Sequence, residues 1–256
     1  MLKRQYKEGD VLKYKIIGKG TNNPDYYAEA VSVVKKGPDG IFHEEFQWHN
    51  VQENGKAASI PPDFRQLVSL DTKYKVTMPS LFHSPFFDAL NFYVDDMIAI
   101  KHMLGKKGEH IYLKHGTPNS WADGKRVIMG YDCIDFDVTL VDIDEHIATL
   151  QVRHVPPVQG CNNIPPAAWM QKPVSDTANN WFQVTKTGDN KYEASVGKEV
   201  FDVELKVELP SGIIKSATMF NPVVGEERIC TDAKLTDCGV PKKFELVRNI
   251  ALFLEQ

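Results

Sequence analysis

The densest gathering of chemically able side chains is the run Lys114-His-Gly-Thr-Pro-Asn-Ser-Trp-Ala-Asp-Gly, which brings His115, Asn119, Ser120, Trp121 and Asp123 within a few residues of one another. A serine, a histidine and an aspartate are the parts of a nucleophile system, but that system needs a hydrogen-bonded line in space, which adjacency in sequence does not supply. Loops carry function disproportionately, and Trp121 adds a flat apolar contact. The Gly, Pro, Asn and Asp of the same run are turn formers, so a plain surface loop accounts for most of them. The 115–123 segment is therefore a candidate ligand contact through His115 and Trp121, or the loop of a hydrolase or sugar-acting enzyme with carboxylates drawn from elsewhere.

Other patterns are weaker. His43 and His49 in H-E-E-F-Q-W-H share a face if the segment is a strand, but then sit about 20 Å apart, too far to hold one metal. Asp132, Asp135, Asp137, Asp142 and Asp144 form an acidic run without the glycine and terminal glutamate of a calcium loop. Alternation with Ile134, Phe136 and Val138 sends Asp135 and Asp137 to solvent. Glycine-rich phosphate loops and the G-x-S-x-G elbow are absent from the chain, so no cofactor and no metal ligand set is expected. Of the four cysteines, Cys230 and Cys238 flank a short polar loop that a disulfide could close, and free thiols are the alternative.

Composition sets the class. With 256 residues, 42% hydrophobic and 25% charged, the chain is long enough for a sizeable core and suits one globular domain over 1–256. A net charge of −4 without a long basic cluster disfavours nucleic acid as a partner.

These residues need a scaffold, and one stretch organises it. Ser84 to Leu104 begins with a capping serine and a proline suited to the first turn, and Gly105 follows it. Asp88 lies near its start and Lys101 near its end, as a helix dipole favours. Its apolar residues cover more than one stripe, so a helix over 84–104 must be covered on several sides. Asp88, Asp95, Asp96 and Lys101 exclude a membrane span. Phe87, Leu90, Val94, Met97 and Ile98 either pack fully against a sheet or line a cavity beside it.

Around that segment the chain alternates. Leu12, Tyr14 and Ile16 oppose Lys13 and Lys15, and Tyr26–Lys36 runs through Gly37-Pro-Asp-Gly into Ile41–His49. Later, His110–His115, the Asp142-Ile-Asp-Glu hairpin, and Trp181–Lys186 turning at Thr187–Asn190 into Lys191–Val196 all read as strands. Phe201, Val203, Leu205, Val207 and Leu209 give the cleanest alternation, and Lys243–Leu254 is a closing strand. The expected fold is mainly β (α+β): a large curved antiparallel sheet or open barrel wrapped around one long apolar helix, about 84–104.

Glu8–Ile17 (E-G-D-V-L-K-Y-K-I-I) and Phe201–Met219 (F-D-V-E-L-K-V-E-L-P-S-G-I-I-K-S-A-T-M) give the two ends of the chain a pattern that resembles bacterial envelope proteins of the lipoprotein-carrier type, with half-open β-barrels around helices, and uncharacterised exported bacterial proteins. The resemblance implies a periplasmic or secreted location. No signal peptide begins the chain, so cytoplasmic is the alternative. The expected function is a non-enzymatic binding protein of the bacterial envelope holding an apolar small molecule or lipid, such as an acyl chain, between helix and sheet. Alternatives are the 115–123 enzyme and a structural or interaction module with an envelope protein partner.

Overall fold

The computed structural model describes residues 2–22, 24–58, 65–69, 100–101, 104–118, 127–155 and 163–255. Its strands are β1 (Val11–Thr21), β2 (Tyr26–Lys36), β3 (Phe42–Glu53), β4 (Lys56–Ala57), β5 (Gln66–Val68), β6 (His110–Pro118), β7 (Val127–Ile143), β8 (Ile147–Val155), β9 (Trp181–Gly188), β10 (Lys191–Glu199), β11 (Asp202–Glu208), β12 (Ile214–Cys230) and β13 (Lys242–Leu254). All thirteen belong to one antiparallel sheet, which is not closed into a barrel. β13 joins the two halves of the chain by pairing with both β12 and β1.

The expected helix does not organise the fold. Strands make up 62% of the described residues and helix 1%, so an α+β fold built around a helix is replaced by an almost wholly β one. Of the 84–104 segment only Ile100, Lys101 and Leu104 are described, and the expected ligand-lining residues Phe87, Leu90, Val94, Met97 and Ile98 lie outside the described residues. The expectation rested on caps and end charges within one segment, and such local signals do not fix what the rest of the chain is built around; the segment's many aromatic and β-branched residues also suit strands. The described residues build the main core chiefly from strand side chains. Tyr14, Ile16, Phe46, Leu140, Leu150, Leu205, Ile214 and Leu252 meet in one core, and Ile100 is buried among them. Among the described residues, no helix is long and apolar enough to cross a membrane.

Two pairs of strands lie end to end. Glu199 faces Val223 and Asp202 faces Phe220, so β10 and β11 keep a single register along β12. The interruption falls at Val200–Phe201 opposite Asn221–Pro222, where proline has no N–H to give to the ladder. The amide of Val200 still donates to the Pro222 carbonyl at 3.1 Å. On β7, Asp135 faces Val155 of β8 and Asp132 faces Trp181 of β9, so β8 and β9 also form one line. Between them the chain leaves the sheet and returns.

This collinearity places two cores on opposite faces. Successive side chains in a strand alternate sides, so Val203, Leu205 and Val207 lie opposite Ala194 and Val196. The first three belong to the main core. The other two join a second core with Phe182, Val184, Ala167, Met170, Cys230 and Leu235, where the returning 163–180 segment packs down. Asn179 ties that segment together, accepting from the Val174 amide at 3.0 Å and donating to the Met170 and Lys172 carbonyls at 3.0 and 2.8 Å. A Cys230–Cys238 disulfide closes the adjoining loop, whose Leu235 carbonyl accepts from the Trp169 indole at 3.0 Å.

At the opposite end the N-terminal residues cross the sheet as a strap. The Gln5 amide donates to the Ser211 carbonyl at 2.7 Å, and Arg4 reaches Glu44 of β3 at 3.0 Å, with both side chains at most 1% exposed. Ser32 donates to the other Glu44 oxygen at 2.8 Å.

Candidate functional site

Because the second core takes one face of β9, β10 and β12 at their far end, the opposite face there must be finished in another way. It is finished by a single row across four strands. Trp181 of β9 faces Gly197 of β10, Gly197 faces Gly225 of β12, and Gly225 faces Phe244 of β13. The two glycines leave a trough, and the two rings fold into it from either side until their centroids are 6.3 Å apart at 44°. A Cβ on Gly225 would strike the Phe244 ring, and one on Gly197 would strike the Trp181 ring and the Val224 carbonyl. Glycine inside a strand is costly unless something approaches closely, and here the rings do. Both rings are half-buried, so they form a floor with one side still open.

Polar side chains border this floor. Toward the strand interruption, Arg248 of β13 forms an ion pair with Glu199 of β10 and donates from Nε to the Asn221 Oδ1 at 2.5 Å. The Asn221 amide donates to Glu199 Oε1 at 3.1 Å and to the Val200 carbonyl at 2.7 Å. Asn180 replaces a peptide unit at the gap, accepting from the Glu199 amide at 2.9 Å and donating to its carbonyl at 2.8 Å. Beyond the floor, Gln183, Ser195, Glu227 and Lys242 form the next row by the same registers. Among the described residues Ser195, Glu227 and Lys242 make no side-chain hydrogen bond, while Gln183 donates to Thr185 at 3.3 Å.

Burial shifts the ionisable groups around the strand interruption. Burial, helped by the nearby Lys198 charge and opposed by Asp135, pushes His154 down to about 4. Its imidazole is therefore neutral near pH 7, with Asn180 at 3.4 Å and a buried Nδ1 that has no partner among the described residues. Burial also lowers the Lys198 amine against the opposing charge of Asp176. Glu199 is engaged through Oε1 by Arg248 and Asn221. On the far side of β7, Tyr112 donates to Asp135 at 2.5 Å, which pushes the phenol up to about 12.

The sequence-derived candidates fall elsewhere. His115 is not in a loop: it lies in β6 with its backbone opposite Ile134, and the strand runs on to Pro118. Asn119, Ser120, Trp121 and Asp123 lie outside the described residues. Alternation sends Asp135 to solvent, yet it is 8% exposed and accepts a hydrogen bond from the Tyr112 hydroxyl. His43 is buried whereas His49 is exposed, so they do not share an environment. Among the described residues no group of His, Cys, Asp or Glu could hold a metal ion. Cys230 and Cys238 are bridged, and Cys133 carries no disulfide.

Trp181, Phe244, Glu199 and Arg248 escaped sequence reasoning. Two signals pointed to them: Gly197 within Ala-Ser-Val-Gly-Lys-Glu and Gly225 within Val-Val-Gly-Glu-Glu interrupt otherwise regular strands. Comparison with protein-family models, with curated proteins and with solved structures finds no match for this chain.

Proposed function

We propose that the protein is a non-enzymatic binding protein of the bacterial cell envelope, whose ligand lays an apolar face on Trp181 and Phe244. The observation that carries this reading is the Trp181–Gly197–Gly225–Phe244 row, in which two strand glycines lower two rings, tilted at 44° to each other, into a half-open floor. Such a floor offers dispersion contact on one side and polar groups around its border, the usual make-up of a ligand site. The Cys230–Cys238 bridge supports an oxidising compartment, hence a periplasmic or secreted location. The earlier expectation of a ligand clasped between helix and sheet gives way to one lying on the sheet.

The test compares wild-type protein and Trp181→Ala, both purified from the native host, by mass spectrometry under native and denaturing conditions. Wild type carries excess mass that denaturation releases, and the variant has lost it. Excess mass retained by the variant, or none in wild type, would count against the reading.

A further inference from the structure

We infer that the ligand is a carbohydrate, a neutral pyranose chain laid along the Trp181–Phe244 floor; this rests on the binding reading above and names its ligand class. Three features of the floor select it. Hydrogen-bonding side chains stand on both borders of the rings: Glu199, with Arg248 one row beyond it past Val223 and Leu246, on one side, and Gln183, Ser195, Glu227 and Lys242 on the other. An acyl chain would instead leave those polar groups desolvated without partners, which is costly. A pyranose presents C–H groups on its face and hydroxyls around its rim, matching an apolar floor inside a polar border.

The second feature is charge. Glu199 is neutralised by Arg248, and Glu227 stands directly opposite Lys242, so the two borders bring no net charge to the floor. A phosphate or carboxylate drawn to Lys242 would also face the Glu227 charge on the neighbouring strand, and a cation drawn to Glu227 would face Lys242.

The third feature is acceptor and donor supply. Arg248 and Asn221 use part of their capacity holding Glu199 Oε1, which fixes the planar groups before a ligand arrives. Glu199 Oε2 and the Ser195 hydroxyl have no partner among the described residues. Preordered planar side chains hydrogen-bond vicinal hydroxyls with little entropy lost on binding. Gln183, donating only to Thr185, keeps its amide oxygen for the same use.

The experiment titrates the full chain by calorimetry with cellohexaose, maltohexaose, mannohexaose and chitohexaose, and separately with palmitate, each up to about 1 mM, the weak end of specific recognition. We expect one hexasaccharide to bind, Trp181→Ala and Phe244→Ala to weaken it at least tenfold, and Trp181→Phe to keep most of the affinity. Ser195→Arg, which leaves both rings in place and stands a long side chain beside the floor, abolishes binding while melting like wild type. Binding of palmitate in place of every sugar, lost in Trp181→Ala, would overturn the carbohydrate inference and leave the binding site standing. Sugar binding indifferent to Trp181, Phe244 and Ser195 would overturn the site itself. Silence from all four sugars would overturn the inference.

Discussion

Adding a methyl group at Gly197 should hurt the fold more than adding one at Gly225, although both glycines sit in the same row. A Cβ at Gly225 meets atoms of the Phe244 ring, the far end of a side chain that can swing away. A Cβ at Gly197 meets the Val224 carbonyl oxygen of the neighbouring strand as well as Trp181 Cζ2 at 2.5 Å, and a backbone carbonyl cannot step aside without opening the β10–β12 ladder. Overpacking costs about 1–3 kcal/mol, and alanine recovers about 0.5–1 kcal/mol of the entropy that glycine loses in a strand. Gly225→Ala should therefore destabilise by no more than about 1 kcal/mol and Gly197→Ala by about 2 kcal/mol. For a chain of this size those losses lower Tm by about 2–4 °C per kcal/mol, so Gly197→Ala should melt about 4–8 °C early. Scanning calorimetry with urea titration reads both. A Gly197→Ala protein as stable as wild type, or less affected than Gly225→Ala, would refute the close-packed row.

Three further outcomes follow from other parts of the structure. Reducing the Cys230–Cys238 bridge, whose partners are 8 residues apart, restores loop entropy to the unfolded chain and should cost about 2.5 kcal/mol, read as a lower urea midpoint. Arg4→Ala strands the buried Glu44 carboxylate and should cost about 3–5 kcal/mol, while Arg4→Met with Glu44→Leu recovers much of that loss in a double-mutant cycle. His154 adds a pH dependence with a defined sign. Above about pH 6.5 the ring is neutral folded and unfolded; between there and its folded value of about 4 the unfolded chain takes a proton that the folded chain refuses. Stability should fall through that window as the pH is lowered, by roughly 1–2 kcal/mol because the ring is only partly withdrawn from water. His154→Gln should flatten that part of the curve in acid denaturation.

Much of the strand architecture was legible because it depends on local alternation. Leu12, Tyr14 and Ile16, and then Val203, Leu205 and Val207, announce their faces residue by residue, and the turns at Gly37–Gly40 and Thr187–Asn190 carry their own chemistry. The expectation of a fold organised around an 84–104 helix rested on that segment's own caps and end charges, and nothing local in it reports that strands dominate the described residues. The candidate site was invisible for a different reason. Trp181, Gly197, Gly225 and Phe244 lie far apart in sequence and meet only through register, which no single segment encodes. The switch of buried face between Val196 and Val203 was also hidden, because each half of the strand alternates normally and only the second core reveals which half turns which way.

The central claim, that ligand lies on the Trp181–Phe244 floor, is tested most directly at the indole of Trp181. Nitrogen-15 spectra of the protein contain one indole signal for each of its four tryptophans, and Trp181→Phe identifies the relevant one by its loss. Material released by denaturing the native-source protein is added back to ligand-free protein. The account predicts that the Trp181 signal shifts while the buried Trp48 signal holds still. A Trp181 signal that stays fixed, whether another tryptophan responds or no material is released, would contradict it.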